Sequence, residues 1–270
     1  MVITMIHSLT ELSPSARLWG SLWGDRPRDW AGNEEQQLPV YEAALERTGV
    51  RPGDRVLDVG CGTGVFLRLC ADRGAEVTGL DASENLLAVA RGRVPEAELV
   101  HGDLQSLPFA DDAFDLVTGF TSFFFADDMV AALREAGRVA RPGAPVVIVV
   151  FGAPERCGLE HVKAAIAPFR PRGEDGEEVR YWRPGMVAEL AAAAGLEVGE
   201  SLTRTTTYEY DTQEETLRAM LSAGGAAAVA GPEREPELRA ALVEALADHR
   251  RPDGGYSLAN EWEIVVASAA

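Results

Sequence analysis

Residues 56–64 read VLDVGCGTG. Val56, Leu57 and Val59 make a short apolar run, and glycines follow at every second position, Gly60, Gly62 and Gly64. Glycine reaches left-handed backbone conformations without steric cost and lets a backbone come close to a ligand. A strand that ends this way and runs into a helix presents N–H groups at the positive end of the helix dipole. The segment reads as strand, turn and helix with a nucleotide-like ligand at the turn. Taken alone, it reads equally as a turn that packs a helix tightly on its strand.

Working outward, apolar and helix-like segments alternate from Arg55 to Phe151, the pattern of a parallel sheet with crossover helices. Strands are expected at 55–59, 76–80, 99–100, 114–119 and 145–151. GVFLRLCADRG, SENLLAVARGRV and MVAALREAGRVARPG between them carry helical periodicity, with stops at Gly74 and Gly143. Beyond Phe151, the polar, Pro/Gly-rich stretch APFRPRGEDGEEVRYWRPG reads as an exposed loop or lid. GMVAELAAAAG reads as a helix, and LEVGESLTRTTTYEY, rich in Thr and Tyr, as a long strand. A helical insert from Thr212 to about Arg250 precedes a last strand at YSLANEWEIVVAS, completing seven. Upstream of Val50 the chain is partly helical, with Trp19, Trp23 and Trp30 crowded into it.

Composition narrows the partners. The chain has 270 residues, enough for a sizeable core, and 43 Asp and Glu against 25 Lys and Arg give a net charge of -18. Such a surface repels polyphosphate and anionic headgroups, so nucleic acid and membranes are not expected partners. Lys163 is the single lysine; the arginine bias carries no chemistry. Cys61, Cys70 and Cys157 form no CxxC pair and sit near no histidine cluster, which points to a reducing compartment with neither a disulfide framework nor a metal site. MVITMIHSLTELSPSARLW lacks a basic segment followed by an apolar one, and the longest apolar runs are too short to cross a bilayer; the expectation is a soluble cytoplasmic protein.

Spacing then discriminates between ligands. The dinucleotide fingerprint needs its third glycine one place later, where this chain has Val65. Asp58, two residues before the turn, sits badly with pyrophosphate and suits a ligand carrying an ammonium and a sulfonium. Asp81 ends the second strand 17 residues after Gly64, where a carboxylate can accept both ribose hydroxyls; a helix cap is its alternative role. Asp103 and Leu104 follow the third strand, where a carboxylate can accept from an adenine amino group; a solvated loop aspartate is the alternative there. FDLVTGFTSFFF closes the fourth strand with small and aromatic residues at the rim where open α/β sheets bind ligands.

VLDVGCGTG, GLDAS, HGDLQSLPF, FDLVTGF and EAGRVARPGAPVVIVVF, in this order between Pro52 and Gly152, resemble the class I S-adenosylmethionine-dependent methyltransferases. The likeness is to their small-molecule branch, which includes quinone-biosynthesis and natural-product tailoring enzymes. The resemblance implies a Rossmann-like, doubly wound, seven-stranded and mostly parallel sheet with an antiparallel last strand. It implies S-adenosylmethionine as cofactor and S-adenosylhomocysteine as product. Asp58 with the backbone of Gly60, Cys61, Gly62 and Gly64 would hold the methionine part, and Asp81 the ribose. Ala82 and Leu86 would line the adenine, Asp103 and Leu104 would read its edge, and Phe120 would lie near the methionyl end. The expected organisation is an N-terminal helical cap over 1–50 and a methyltransferase domain over 51–270, with lid segments at 152–183 and 212–252.

Methyl transfer from a sulfonium rests on aligning the acceptor in a dry site, so a strong base is optional. Several relatives carry a polar or histidine pair where this chain has Phe123, Phe124 and Phe125, which suggests an apolar wall, with core packing expected for one or two of them. His7, His101, His161, His249, Tyr181, Tyr208 and Tyr210 are weak candidates for a base, and none is assigned. The reading is methyl transfer to O, N or C of a small, partly apolar acceptor. A nicotinamide-dependent oxidoreductase and a cofactor-assisted cyclase or binding module stand as alternatives.

Overall fold

The computed structural model describes residues 12–169, 183 and 185–270. Its centre is β1 (Arg55–Val59), whose last four residues are buried. Val56 points into one apolar cluster and Leu57 and Val59 into another, so both faces of the sheet are covered. Strands covered on both faces read as continuous apolar runs, which is how β4 (Leu116–Phe120) and β5 (Pro145–Phe151) are written.

With β2 (Glu76–Asp81), β3 (Glu98–His101), β6 (Glu197–Tyr210) and β7 (Tyr256–Ser268), the sheet has the order β3-β2-β1-β4-β5-β7-β6. Neighbours pair in parallel as far as β5, and β7 is antiparallel to both β5 and β6. From β1 the chain first builds outward to β3, then returns to lay β4 on the other side. This switch point, at the carboxyl ends of β1 and β4, opens the crevice in which such sheets hold ligands.

The expected strands stand where the sequence places them, with shifted ends. β4 starts at Leu116, since Phe114 only bridges to Ala140 and Asp115 turns its carboxylate to the Arg55 N–H. α4 (Val65–Ala71), α5 (Glu84–Arg93) and α6 (Met129–Val139) are the crossover helices. The excursion after β5 contains α7 (Leu159–Ile166), and residues 170–182 and 184 of the expected lid lie outside the described residues. α8 (Met186–Ala193) leads into β6. The insert is α9 (Gln213–Ser222) and a long element, Ala226–Ala245, broken at Gly231 (φ 71°) just before Pro232. Trp262 of β7 is fully buried, its indole N–H donating to Thr206 Oγ1 of β6 at 2.8 Å.

β6 is the edge strand, and most of its first nine residues are exposed. A bulge falls between Val198 and Glu200. At Glu209 the side-chain amide of Gln36 donates to the backbone oxygen at 2.8 Å and accepts from the backbone N–H at 3.4 Å.

Upstream, α1 (Pro14–Trp23), α2 (Pro27–Glu34) and α3 (Leu38–Thr48) pack against the sheet and the crevice. Gly20 and Gly24 set α1 directly on the β2–α5 turn. A Cβ at Gly20 would stand 2.1 Å from the Ala82 carbonyl oxygen, and one at Gly24 2.5 Å from Ser83 Oγ. Ser13 N–H at the head of α1 donates to Asp103 Oδ2 at 2.9 Å, and Asn85 Nδ2 donates to the Gly24 oxygen at 2.9 Å.

Gly20→Ala therefore overpacks this contact and is expected to cost about 1–3 kcal/mol. Urea unfolding measures it, with Gly32→Ala as the control, because nothing lies within 4 Å of a Cβ built there.

Candidate functional site

A crevice of about 840 Å³, part of it open solvent, lies where the switch point predicts. Its floor is the end of β1 and the glycine turn; the β2–α5 turn, the segment after β3 and Phe120–Ser122 after β4 form its sides. α1 and α2 contribute Trp19, Trp23, Trp30 and Glu34, and Gln37 and Tyr41 complete that wall. Trp23 lies 4.6 Å from Trp30 and 5.9 Å from Phe125 by ring centroids, and Trp19 lies 4.5 Å from Phe125.

Four carboxylates line the crevice, Glu34, Asp58, Asp81 and Asp103, and no Lys, Arg or His does among the described residues. Asp81 Oδ2 accepts from Gly62 N–H at 2.9 Å and Oδ1 from Ser83 N–H at 2.8 Å. Burial raises its pKa, with these backbone bonds opposing. Asp58 Oδ1 accepts from Thr118 Oγ1 at 2.7 Å; burial, reinforced by the Glu34 and Asp81 charges, pushes the carboxyl up to about 7. Glu34 reaches from the end of α2 to Thr63, and burial pushes it also to about 7. Burial pushes Asp103 upward as well, but the bonds from Ser13 and Gln105 outweigh it and hold that carboxyl below its ordinary value.

Ten of the eleven residues singled out in the sequence, Asp58, Gly60, Cys61, Gly62, Asp81, Ala82, Leu86, Asp103, Leu104 and Phe120, line this crevice. Gly64 does not. It precedes α4 with φ 81° and packs beside Ala90, so it shapes the turn. Of the Phe triplet, Phe123 is core, packed under Gly119, and Phe125 lines the crevice. Phe124 packs on the second apolar cluster and lies 4.5 Å from Phe125.

None of the described candidate bases lines the crevice. His101 Nε2 lies 2.9 Å from the Ala82 oxygen, and His161 Nδ1 lies 2.8 Å from His249 Nε2. Tyr208 and Tyr210, at the end of β6, are buried, and burial holds their hydroxyls well above the usual range. His7 and Tyr181 lie outside the described residues. Among the described residues no three His, Cys, Asp or Glu side chains group so as to hold a metal ion. No described helix is long and apolar enough to cross a membrane.

Glu34, Gln37 and Tyr41 were not singled out from the sequence. Glu34 also bears on the choice of ligand, because its carboxylate fills the N-terminus of α4, where a dinucleotide would place its pyrophosphate.

A family model described as "Methyltransferase domain" matches residues 57–148, from Leu57 of β1 to Ile148 of β5. These residues are a class I S-adenosylmethionine-dependent methyltransferase domain. The chain is 41% identical over 112 residues to the demethylmenaquinone methyltransferase of Beutenbergia cavernae, a match covering 42% of this chain and 47% of that protein. The chain spans about half the length of the curated relatives it matches. Two solved structures share the fold. One is the YcgJ protein of Bacillus subtilis (TM-score 0.60, 20% identity, 85% of this chain and 98% of that one). The other is the [4+2]-cyclase SpnF (TM-score 0.56, 23% identity, 86% and 81%).

The methyltransferase domain suits its cofactor on the chain's own features. The glycine cradle leaves no room for side chains: a Cβ at Gly60 would stand 2.4 Å from that of Ser122. Among the described residues no cationic side chain lines the crevice beside the buried carboxylates, which fits a ligand carrying an ammonium and a sulfonium.

These carboxyls set a pH dependence. In the ligand-free protein Asp58 and Glu34 titrate near 7, against 3.8 and 4.5 ordinarily. The folded state therefore binds more protons than the unfolded one between about pH 4.5 and 7, and stability falls as pH rises through that window. The melting temperature is expected to drop between about pH 5 and pH 7.5, and Asp58→Asn to flatten the drop. Scanning calorimetry of both proteins checks it.

Proposed function

We propose that this chain transfers a methyl group from S-adenosylmethionine to an O, N or C atom of a small, partly apolar acceptor that carries no negative charge. The observation that carries this reading is the crevice wall, with four carboxylates, six aromatic rings and no cationic side chain among the described residues. Such a wall repels an anionic acceptor and favours an apolar one.

In this reading Asp58 and the backbone of Gly60 to Gly62 hold the methionine part, with Gly64 shaping the turn, Asp81 accepts from the ribose hydroxyls, and Ala82, Leu86 and Leu104 flank the adenine. Asp103 shares its carboxylate between Ser13 and the adenine amino group, and Phe120 borders the methionyl end. The cofactor, when bound, supplies an electrophilic methyl group on a positively charged sulfur.

The chain's own contribution is alignment and exclusion of water. Trp19, Trp23, Trp30 and Phe125 provide an apolar wall against which a flat or branched acceptor is held. Trp23 Nε1 is buried and has no partner among the described residues, so it is a donor available to an oxygen or nitrogen of the acceptor. The domain arrangement follows. Residues 1–50 act as a cap, 51–270 form the methyltransferase domain, and 152–183 and 212–252 serve as lid segments. The three buried free thiols Cys61, Cys70 and Cys157 support a cytoplasmic setting, with natural-product tailoring as the role.

The relatives named demethylmenaquinone methyltransferase match only part of this chain, so their acceptor is one member of the panel to be tested. The [4+2]-cyclase shares the fold, and cyclisation with retained cofactor is the second reading. Titration calorimetry should find S-adenosylmethionine and S-adenosylhomocysteine bound and NADH not. Asp81→Ala should weaken both by about ten- to a hundredfold, as loss of charge-assisted hydrogen bonds worth about 1.5–3 kcal/mol requires. Formation of S-adenosylhomocysteine with a converted acceptor supports methyl transfer. Conversion without consumption of cofactor supports the cyclase instead.

A further inference from the structure

The glycine turn is closed by a carboxylate from outside the matched domain. Glu34, the last residue of α2, accepts through Oε2 from Thr63 N–H at 3.0 Å and from Thr63 Oγ1 at 2.8 Å. Arg93 of α5 donates to Thr63 Oγ1 at 2.6 Å and to Glu35 at 2.8 Å, fixing the other side of the same residue. A Cβ on Gly62 would stand 3.0 Å from Glu34 Oε2, so this glycine makes room for the carboxylate.

Capping does not explain the charge. A glutamine oxygen at this position accepts the same two Thr63 donors without carrying a negative charge into a buried site. Glu34 instead stands in the same crevice as Asp58 and Asp81, with which it accumulates like charge. Burying a carboxylate among others is unfavourable unless a cation completes the group. Arg93, behind Thr63, offsets part of the Glu34 charge, but neither it nor any other cation lines the crevice among the described residues, so the rest of the compensation arrives with the ligand.

We propose that Glu34 is a second carboxylate for the ammonium of the cofactor's amino-acid part, paired with Asp58 across the glycine turn. This rests on the methyltransferase reading above. It makes the N-terminal helices part of the cofactor site, because the charge that completes the pair is carried by α2.

The groups facing Glu34 are Arg93 of α5, Asp58 of β1, Tyr41 of α3, Tyr208 of β6 and Cys61 of the turn. Burial keeps both phenols and the thiol protonated, and Asp81, also raised by burial, serves the adenosine that both ligands share, so Glu34 and Asp58 are the pair that distinguishes them.

The test compares S-adenosylhomocysteine with 5′-methylthioadenosine, which has the same adenosine and thioether but no ammonium. Glu34→Gln is expected to weaken S-adenosylhomocysteine by about tenfold or more and to leave methylthioadenosine within about twofold, the second ligand doubling as the check on folding. Equal weakening of both ligands assigns Glu34 to support of the turn and overturns the proposal, as does no weakening of either. Should Glu34→Gln not fold, calorimetry of the wild-type protein at about pH 6 in buffers of different ionisation enthalpy reads the same pair. S-adenosylhomocysteine should release over one proton more than methylthioadenosine, which Asp58 alone cannot supply. A difference of one proton or less overturns the proposal. A wild-type protein that binds neither ligand removes the methyltransferase reading, and this inference with it.

Discussion

Buried negative charge in a crevice that no cationic side chain lines, among the described residues, is the constraint around which this structure is arranged. Asp81 accepts from both Gly62 and Ser83 N–H groups and so ties the end of β2 to the turn after β1. That tie fixes the floor of the crevice, and Asp58 and Glu34 add charge to it from β1 and α2. Each carboxylate is held by one or two donors, fewer than its lone pairs can take. The ligand-free protein thus stores an electrostatic penalty at the place where a positively charged ligand removes it.

The N-terminal helices belong to the same arrangement. Gly20 and Gly24 bring α1 into backbone contact with the turn that follows Asp81, and Ser13 engages Asp103. The crevice is therefore walled by two parts of the chain. The matched domain supplies the glycine turn and most of its carboxylates, and the upstream helices supply the tryptophans and Glu34.

The sheet was legible in the sequence because its strands and crossover helices carry uninterrupted apolar patterns between glycine and proline stops. β5 and β7 fall on the residues their runs predict, whereas β4 shifts because Asp115 spends its side chain on Arg55. The glycine turn and the acidic residues at strand ends were legible because they lie at fixed offsets from a strand. Gly64 sits on the same alternation yet faces Ala90, since an alternation of glycines does not say which of them the helix covers. Glu34 was not legible. It sits in NEEQQ, a polar run that reads as a solvated face, and its neighbour Glu35 is indeed exposed. Only the docking of α2 on a turn 29 residues downstream distinguishes the two.

The far edge of the sheet illustrates a different economy. β6 is long, and an edge strand offers a row of unpaired backbone groups to any other strand. Gln36 lays a side-chain amide along it at Glu209, satisfying one donor and one acceptor as a neighbouring strand would. Near its start the bulge at Val198–Glu200 breaks the register, and Arg47 and Glu46 of α3 pair with Glu200 and Arg204 along it. A second molecule approaching edge-on meets an occupied ladder at one end and a kinked, charged one at the other, with a net charge of -18 on each chain. The fold thereby keeps its longest open strand from seeding aggregation, and it does so with a glutamine instead of a proline.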